Sequence, residues 1–344
     1  MKHLLITGGA GFIGTNFVYY WLKKYPQDHV VVLDALTYAG NRQNLIQAEK
    51  NPQFEFIQGN ILDQELVESI LVSRRIDTLV HFAAESHVDR SILGPDEFIN
   101  ANIVGTHTLL KAAKKTWLDG EHQNHRFHHI STDEVYGSLK PDDPPFSEKT
   151  PYSPNSPYAA SKAASDHLVR AYHKTYGLKT TISNCSNNYG PFQFPEKLIP
   201  LTITNILCGK PLPVYGDGKQ IRDWLYVDDH SLGIDLILTK GEIGETYNIG
   251  GNNEWANLDI VNLVCDILDK KFKQDPSLPD RYPDCPSSKA GHPQTLITHV
   301  TDRLGHDRRY AIDAEKIFTE LGYHPQESFE TGIWKTLNWY IDSN

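Results

Sequence analysis

His3-Leu4-Leu5-Ile6-Thr7-Gly8-Gly9-Ala10-Gly11-Phe12-Ile13-Gly14 is the stretch from which the fold can be read. A short apolar run enters a glycine cluster, and from Ile13 to Lys24 apolar residues recur at helical spacing. Strand, tight turn and helix therefore follow one another, which is not the pattern of a cleavable leader. Gly8, Gly11 and Gly14 form a GxxGxxG frame, and Gly9, Gly11 and Gly14 also satisfy GxGxxG. Glycine allows the tight turn and a close backbone approach, so the helix N-terminus can aim free N–H groups at a pyrophosphate. Asp34 lies 20 residues beyond Gly14, at the end of the second apolar run. A carboxylate there binds ribose hydroxyls and repels a 2′-phosphate, which favours NAD over NADP. The plainer alternative is a glycine turn beside a capping aspartate.

Outward from this turn the first half of the chain keeps the same rhythm. His3–Thr7, Val30–Asp34, Phe54–Gly59, Thr78–Ala83, Phe127–Thr132 and Thr180–Cys185 read as strands. Between them, Ile13–Lys24, Gln64–Arg74, Asn102–Lys115 and Tyr158–Tyr176 read as amphipathic helices. Strands alternating with helices imply right-handed βαβ units, hence an α/β, Rossmann-like doubly wound parallel sheet with ligands beyond the carboxyl ends of its strands. After about residue 186 irregular Pro-, Gly- and Asn-rich stretches take over. The expected division is an NAD-binding unit over 1–186, with segments near 220–250 returning to it, and a smaller mixed α/β substrate domain mainly over 187–344. Pro141–Pro157 holds six prolines and reads as a loop at the mouth of the site, while the proline-rich Asp275–Pro293 suggests a lid.

Forty-three Asp and Glu against 33 Lys and Arg give a formal charge of −10, which argues against nonspecific binding to nucleic acid or acidic membranes. No apolar run approaches the roughly 18 residues of a membrane span. Cys185, Cys208, Cys265 and Cys285 show no paired CxxC spacing and fit a reducing, cytoplasmic setting.

Tyr158 and Lys162 share one helical face. The same spacing occurs at Tyr19/Lys23, Tyr20/Lys24, Tyr136/Lys140 and Tyr215/Lys219, so context has to separate them. Only Tyr158 begins a helix after a sheet strand, with Ser156 placed as N-cap and Pro157 at the first position. For a tyrosine to act as a base near neutrality its pKa must drop by roughly 3 pH units, ~4 kcal/mol, which Lys162 and a positive nicotinamide ring together can supply. Ser131-Thr132-Asp133-Glu134-Val135-Tyr136-Gly137 closes the fifth strand and sets Thr132 to donate to a substrate oxygen. Asp133 and Glu134 would face opposite ways in a regular strand and can share a site only where the chain turns away from the sheet. Two neighbouring carboxyls, one protonated and one ionised, suit elimination across neighbouring carbons, and mutual repulsion would raise one pKa. A solvated acidic turn is the bland alternative.

With Ala83-Ala84-Glu85-Ser86-His87-Val88-Asp89-Arg90-Ser91, Asn187-Asn188-Tyr189-Gly190-Pro191, Pro195–Pro200, Arg222–Asp229 and Asp302–Tyr310 added to these motifs, nearly the whole chain carries a likeness. It resembles the extended short-chain dehydrogenase/reductase enzymes and, within them, the dTDP-glucose 4,6-dehydratase family. The Asp-Glu pair is its most specific element, since the related 4-epimerases lack it. The resemblance implies an internal redox reaction giving water and dTDP-4-dehydro-6-deoxy-glucose. Tyr158, helped by Thr132 and Lys162, takes the C4 hydroxyl proton while NAD holds the C4 hydride. Glu134 then removes the C5 proton, Asp133 protonates the leaving C6 hydroxyl, and the hydride returns to C6.

By the same carry-over, cofactor contacts fall on Gly8, Gly11, Phe12, Ile13, Gly14, Asp34, Thr37, Asn60, Ile61, Ala83, Ala84, Tyr158, Lys162 and Asn188. The nucleotide-sugar pocket falls on Ser86, Thr132, Asn187, Lys197, Leu198, Tyr215, Arg222, Asn257, Arg303 and His306. Arg222 and Arg303 suit a diphosphate on chemical grounds alone, because guanidinium pairs bidentately with phosphate oxygens. Asn60 stands where the family usually has Asp, and Leu304 where it usually has Pro. The helices Asn102–Lys115 and Tyr158–Tyr176 would pair across a twofold axis as a four-helix bundle in a homodimer. No metal is expected: His122 and His125 fall in a loop, and His128 and His129 alternate faces of a strand. The rival readings are a UDP-glucose 4,6-dehydratase, a nucleotide-sugar 4-epimerase and, in another class, a non-catalytic NAD-binding regulator.

Overall fold

The computed structural model describes residues 1–120, 124–302 and 307–343. Apolar runs that are buried on both faces assemble a parallel sheet, as expected of strands covered by helices on either side. Its strands are β1 (His3–Thr7), β2 (His29–Asp34), β3 (Phe54–Gln58), β4 (Thr78–His81), β5 (Arg126–Thr132), β6 (Thr180–Cys185) and, after three short strands elsewhere, β10 (Thr246–Ile249). The order is β10-β6-β5-β4-β1-β2-β3. Leu5 of β1 registers with Val31 on one side and Leu79 on the other, so the chain reverses its winding at β1. The crevice of such a sheet opens at that switch, between the ends of β1 and β4.

The α1 helix (Phe12–Lys24) packs Phe17, Val18 and Trp21 under one face of the sheet, together with Ile234 and Ile237 of the later helix Val227–Lys240. Ala314, Ile317, Leu321 and Tyr323 join the same core. The opposite face is covered by α2 (Gln64–Ser73), α3 (Thr106–Ala113) and α4 (Pro157–Tyr176), through Val67, Ile70, Leu109 and Val169. A second core gathers the helices Leu198–Leu207, Asn257–Gln274 and Phe329–Ser343 around Ile203, Val264 and Leu337. Beside it lie a three-stranded sheet, β11-β9-β7 (Glu254–Ala256, Ile221–Tyr226, Asn187–Tyr189), and a pair of β12 with β8 (Ile297–Val300, Leu212–Tyr215).

Two expectations need correction. The stretch read as one helix over 102–115 has α-geometry only at α3, with π-helical turns at Ile99–Gly105 and Lys114–Leu118. Tertiary contacts account for the first: Asn102 exchanges hydrogen bonds with the Glu85 backbone (both 2.9 Å) and donates to Ser161 Oγ (2.8 Å). Asp275–Pro293 is not a lid. Leu278 and Cys285 are fully buried, and Arg281 and Tyr282 both donate to the Ile341 carbonyl, so the segment seals the second core.

The glycine turn has steric reasons of its own. Gly8 has φ +72°, and a Cβ on Gly14 would stand 2.3 Å from the Gly8 carbonyl oxygen. Gly14→Ala is therefore expected to cost about 1–3 kcal/mol, since the obstacle is backbone. Gly11→Ala, whose Cβ would meet nothing nearer than Gly8 O at 3.4 Å, should leave stability nearly unchanged. Urea unfolding of both variants checks the contrast; equal losses would show that packing alone dictates both glycines.

Candidate active site

β5 ends at Thr132, and the backbone leaves the sheet in a 3₁₀ turn over Asp133–Tyr136 that Thr132 Oγ1 caps by accepting from Glu134 N at 3.3 Å. This departure turns two consecutive carboxyls out of strand geometry. Asp133 is only 2% exposed and Glu134 is half-buried, so the pair does not stand in bulk solvent. Gly137, at φ +97°, then sends the chain into the proline-rich loop, and Ser153 N returns to donate to Val135 O at 3.0 Å. That loop leads to α4, where Ser156 Oγ accepts from Ala159 N at 3.0 Å with Pro157 in the first turn. The cap fixes where the helix begins and so places Tyr158 at its head, buried beside the β5 terminus.

The groups form one electrostatic pocket. Burial, then Glu134, then Asp223 push the Asp133 carboxyl well above the usual range, which favours its protonated form. The cause is chiefly desolvation, with the expected repulsion second. Asp133 Oδ1 accepts from Thr132 Oγ1 at 3.4 Å, while Oδ2 is buried without a partner. Burial and Glu134 also hold the Tyr158 phenol well above its ordinary value, opposed by the neighbouring Thr132 hydroxyl. The protein alone thus leaves Tyr158 neutral. Lys162 is buried; its ammonium donates to Ile130 O at 2.7 Å, and burial lowers it to about 8.

Arg222 is buried and feels the charge of both members of the acid pair. It sits over the Tyr310 ring at 4.2 Å and donates to the carbonyls of Ile221 (2.8 Å) and Asp307 (3.0 Å). Its charge acts on Asp133, so it serves the carboxyls as well as any phosphate. Asp223, unassigned by the sequence reading, accepts from Gly251 N and Asn253 N, and burial pushes it up to about 6. Lys197 Nζ donates to Ser86 O at 3.2 Å, which brings two expected substrate residues together across the cleft. Asn187 Oδ1 is buried and partnerless in the protein, as a polar ligand contact would be. Leu198 opens the helix Leu198–Leu207. Asn257 opens the helix after β11, whose Trp255 registers with Arg222, and Tyr215 ends β8 about one-third exposed. Arg303, His306 and Leu304 lie outside the described residues, as does His122.

Apart from Tyr158 and Lys162 on α4 and Asn188 on β7, the expected cofactor residues lie at or just after the ends of β1 to β4. Asp34 is buried and accepts from Ala10 N (2.9 Å) and Leu36 N (2.8 Å), so it braces the glycine turn while each oxygen keeps a second lone pair. Gly11 caps α1 with ordinary φ, and no protein atom crowds its missing side chain. A glycine that the protein itself does not need fits the close approach of a pyrophosphate, with Phe12 and Ile13 supplying first-turn amides. Ala83 abuts Gly8 across the switch point. Thr37 is exposed, and Ile61 is buried against Gly105. Asn60 Oδ1 is spent on Leu62 N at 3.0 Å, so the departure from Asp leaves an amide donor facing outward. Asn188 is fixed by Ser186 O and by the buried, neutral His230, both at 2.9 Å. His125 stacks on Trp117, His128 contacts Thr181 and Ser183, and His129 faces Lys162 and Asp166. Among the described residues no group of three or more such side chains could hold a metal ion.

Comparison with known proteins adds the family. The family model described as GDP-mannose 4,6 dehydratase matches residues 5–336. A dTDP-glucose 4,6-dehydratase of Neisseria meningitidis serogroup B is 52% identical over 346 residues, covering 100% of this chain and 94% of its own length. The crystal structure of the dTDP-glucose 4,6-dehydratase DesIV of Streptomyces venezuelae, with NAD and TYD bound, superposes with TM-score 0.86 at 47% identity, covering 99% of this chain and 97% of that one. A UDP-glucose 4-epimerase of Thermotoga maritima superposes at 0.84 with 26% identity over 99% of both chains, so the shared fold does not by itself select the reaction.

Proposed function

The chain belongs to the GDP-mannose 4,6 dehydratase family, and on that premise we propose that it converts dTDP-glucose to dTDP-4-dehydro-6-deoxy-glucose as an NAD-dependent hydro-lyase. The observation that carries this reading is the buried Asp133, its carboxyl pushed above the usual range, beside Glu134, both within electrostatic reach of Tyr158. NAD, when bound along the ends of β1 to β4, supplies a hydride acceptor at C4 and a hydride donor at C6.

Tyr158, once ionised, takes the C4 hydroxyl proton, and Thr132 donates to the same oxygen. Oxidation at C4 acidifies the C5 hydrogen, which Glu134 removes. Asp133 hands its proton to the departing C6 hydroxyl, which leaves as water, and Glu134 returns a proton to C5. The two carboxyls divide the work because Asp133 is held neutral by burial while Glu134 keeps access to the cleft. Arg222 offsets the negative charge that collects as Asp133 gives up its proton. A 4-epimerase needs no such acid pair, and a regulator needs no Thr132, Tyr158, Lys162 set.

We take residues 1–186, with 227–249 and 314–323, as the cofactor-binding unit, and the body built on Arg222 and Asn257 as the nucleotide-sugar unit. Homodimerisation through α3, its flanking π turns and α4 is supported by Ile99 and Val104, 47% and 43% exposed, and by the exposed Ala160 and Ala171. Sedimentation at twice the 39.0 kDa chain mass is expected, and a single-chain mass would contradict it. Free cysteines at all four positions support a cytoplasmic setting, and no helix among the described residues is long and apolar enough to cross a membrane. Thymine and uracil differ by one methyl, worth ~1–3 kcal/mol in a pocket. Purified protein given dTDP-glucose or UDP-glucose, with no NAD added, should form a 4-keto-6-deoxy product faster from the first. Absence of product from either, even with NAD supplied, would overturn the reading.

A further inference from the structure

Lys162 is a cation in an interior that disfavours one. It is 4% exposed, and desolvation draws its ammonium down toward neutrality. One helical turn further along α4, at the spacing that puts two residues on one face, stands Asp166, which is 0% exposed and has no part in the chemistry above. Its Oδ2 accepts from Ser131 Oγ and Tyr152 Oη, both at 2.9 Å. Its Oδ1 lies 3.2 Å from His129 Nε2, and the same ring nitrogen lies 3.4 Å from Lys162 Nζ. Ammonium and carboxylate thus meet at one edge of the fully buried His129 ring, whose single nitrogen there bonds at most one of them, and Asp166 Oδ1 has no hydrogen-bond partner.

Burying an unpaired carboxylate is costly, so a 0% exposed Asp calls for a resident charge that repays it. We propose that Asp166 is a positioning residue whose charge, on the same face of α4, keeps Lys162 protonated during the proton transfer at Tyr158. This rests on the reaction assigned above. The charge balance supports it. Burial drives Asp166 up, but His129, Lys162 and the Ser131 hydroxyl outweigh it and hold the carboxyl below its ordinary range, hence ionised. Lys162 feels Asp166 as its largest stabilising influence, with Cys185 next. His129 is held near 4 by burial and by Lys162, so it is neutral and adds no competing charge. The remaining groups around this cluster are His81 of β4, whose ring lies 5.2 Å from that of His129, and Tyr152 with Arg170 Nη2 on its hydroxyl at 2.8 Å. Burial keeps the His81 ring neutral, and it keeps the Cys185 thiol neutral by pushing it up to about 12.

The test is the alkaline limb of the pH profile of kcat/KM, measured on the full-length holoenzyme. In Asp166→Asn that limb should move down by about one pH unit, giving roughly tenfold lower kcat/KM near pH 9 and little change near pH 6, whereas Asp166→Glu should restore it. A merely structural role would lower the whole profile and leave the limb in place, which would overturn the proposal, as would an upward shift. The ¹³Cε signal of Lys162, assigned by its loss in Lys162→Arg, reads the same titration without turnover, and its midpoint should fall in step. If the wild-type protein turns over neither sugar nucleotide yet this midpoint falls, the assigned reaction fails while the role of Asp166 stands. Should Asp166→Asn not fold, the wild-type Asp166 ¹³Cγ signal, assigned by its loss in Asp166→Glu, decides. It must be that of a carboxylate throughout the working pH range, and a protonated Asp166 overturns the proposal.

Discussion

Tyr158→Phe is expected to slow dehydration of dTDP-glucose by ~10²–10⁴-fold, the range for losing a positioned general base. The substitution removes one oxygen from a buried ring at the head of α4 and leaves the Ser156 cap in place, so the fold should persist. The loss falls on the first chemical step. Without a phenolate no group takes the C4 hydroxyl proton, and mixing with substrate should produce none of the near-ultraviolet absorbance of reduced NAD. The acid limb of the wild-type profile should report Tyr158 in the holoenzyme, displaced far below the value that burial and Glu134 impose on the protein alone. A variant within fivefold of wild type would remove Tyr158 from the mechanism.

Glu134→Gln should separate the two halves of the reaction. Tyr158 and Thr132 are untouched, so C4 oxidation proceeds and reduced NAD accumulates in the first turnover. Product formation then drops by ~10²–10⁴-fold because an amide cannot accept the C5 proton. Exchange at C5 provides a second readout: wild-type product formed in D₂O carries solvent deuterium at C5, and the variant's bound sugar should not. Water loss at the wild-type rate would take the base role away from Glu134. Asp133 is a poor substitute, because burial favours its protonated form.

The strands and the glycine turn were legible because parallel strands buried on both faces are continuous apolar runs, and a strand-to-helix reversal needs glycine. Tyr158 stood out from four decoys through its cap, a local signal. What local signals could not carry is burial. The adjacency of Asp133 and Glu134 suggested repulsion, yet desolvation is the larger cause of the raised Asp133 carboxyl, and it exists only in the folded chain. The π turn before α3 arises from the clamp of Asn102 on Glu85, contacts 17 residues apart. Asp275–Pro293 was misread because prolines suggested a lid while the two apolar anchors, Leu278 and Cys285, passed unnoticed. Asp166 was within reach of inspection, four residues past Lys162 on one helical face, though nothing in the sequence says that both are buried.

Hydride carried within one sugar, from C4 to C6, is what distinguishes this chemistry from epimerisation and from silent binding. dTDP-glucose deuterated at C4, turned over by the protein with its own bound cofactor, should yield product with the label in the C6 methyl group and none at C4. Label retained at C4, lost to solvent, or found in an unchanged hexose would contradict the assignment.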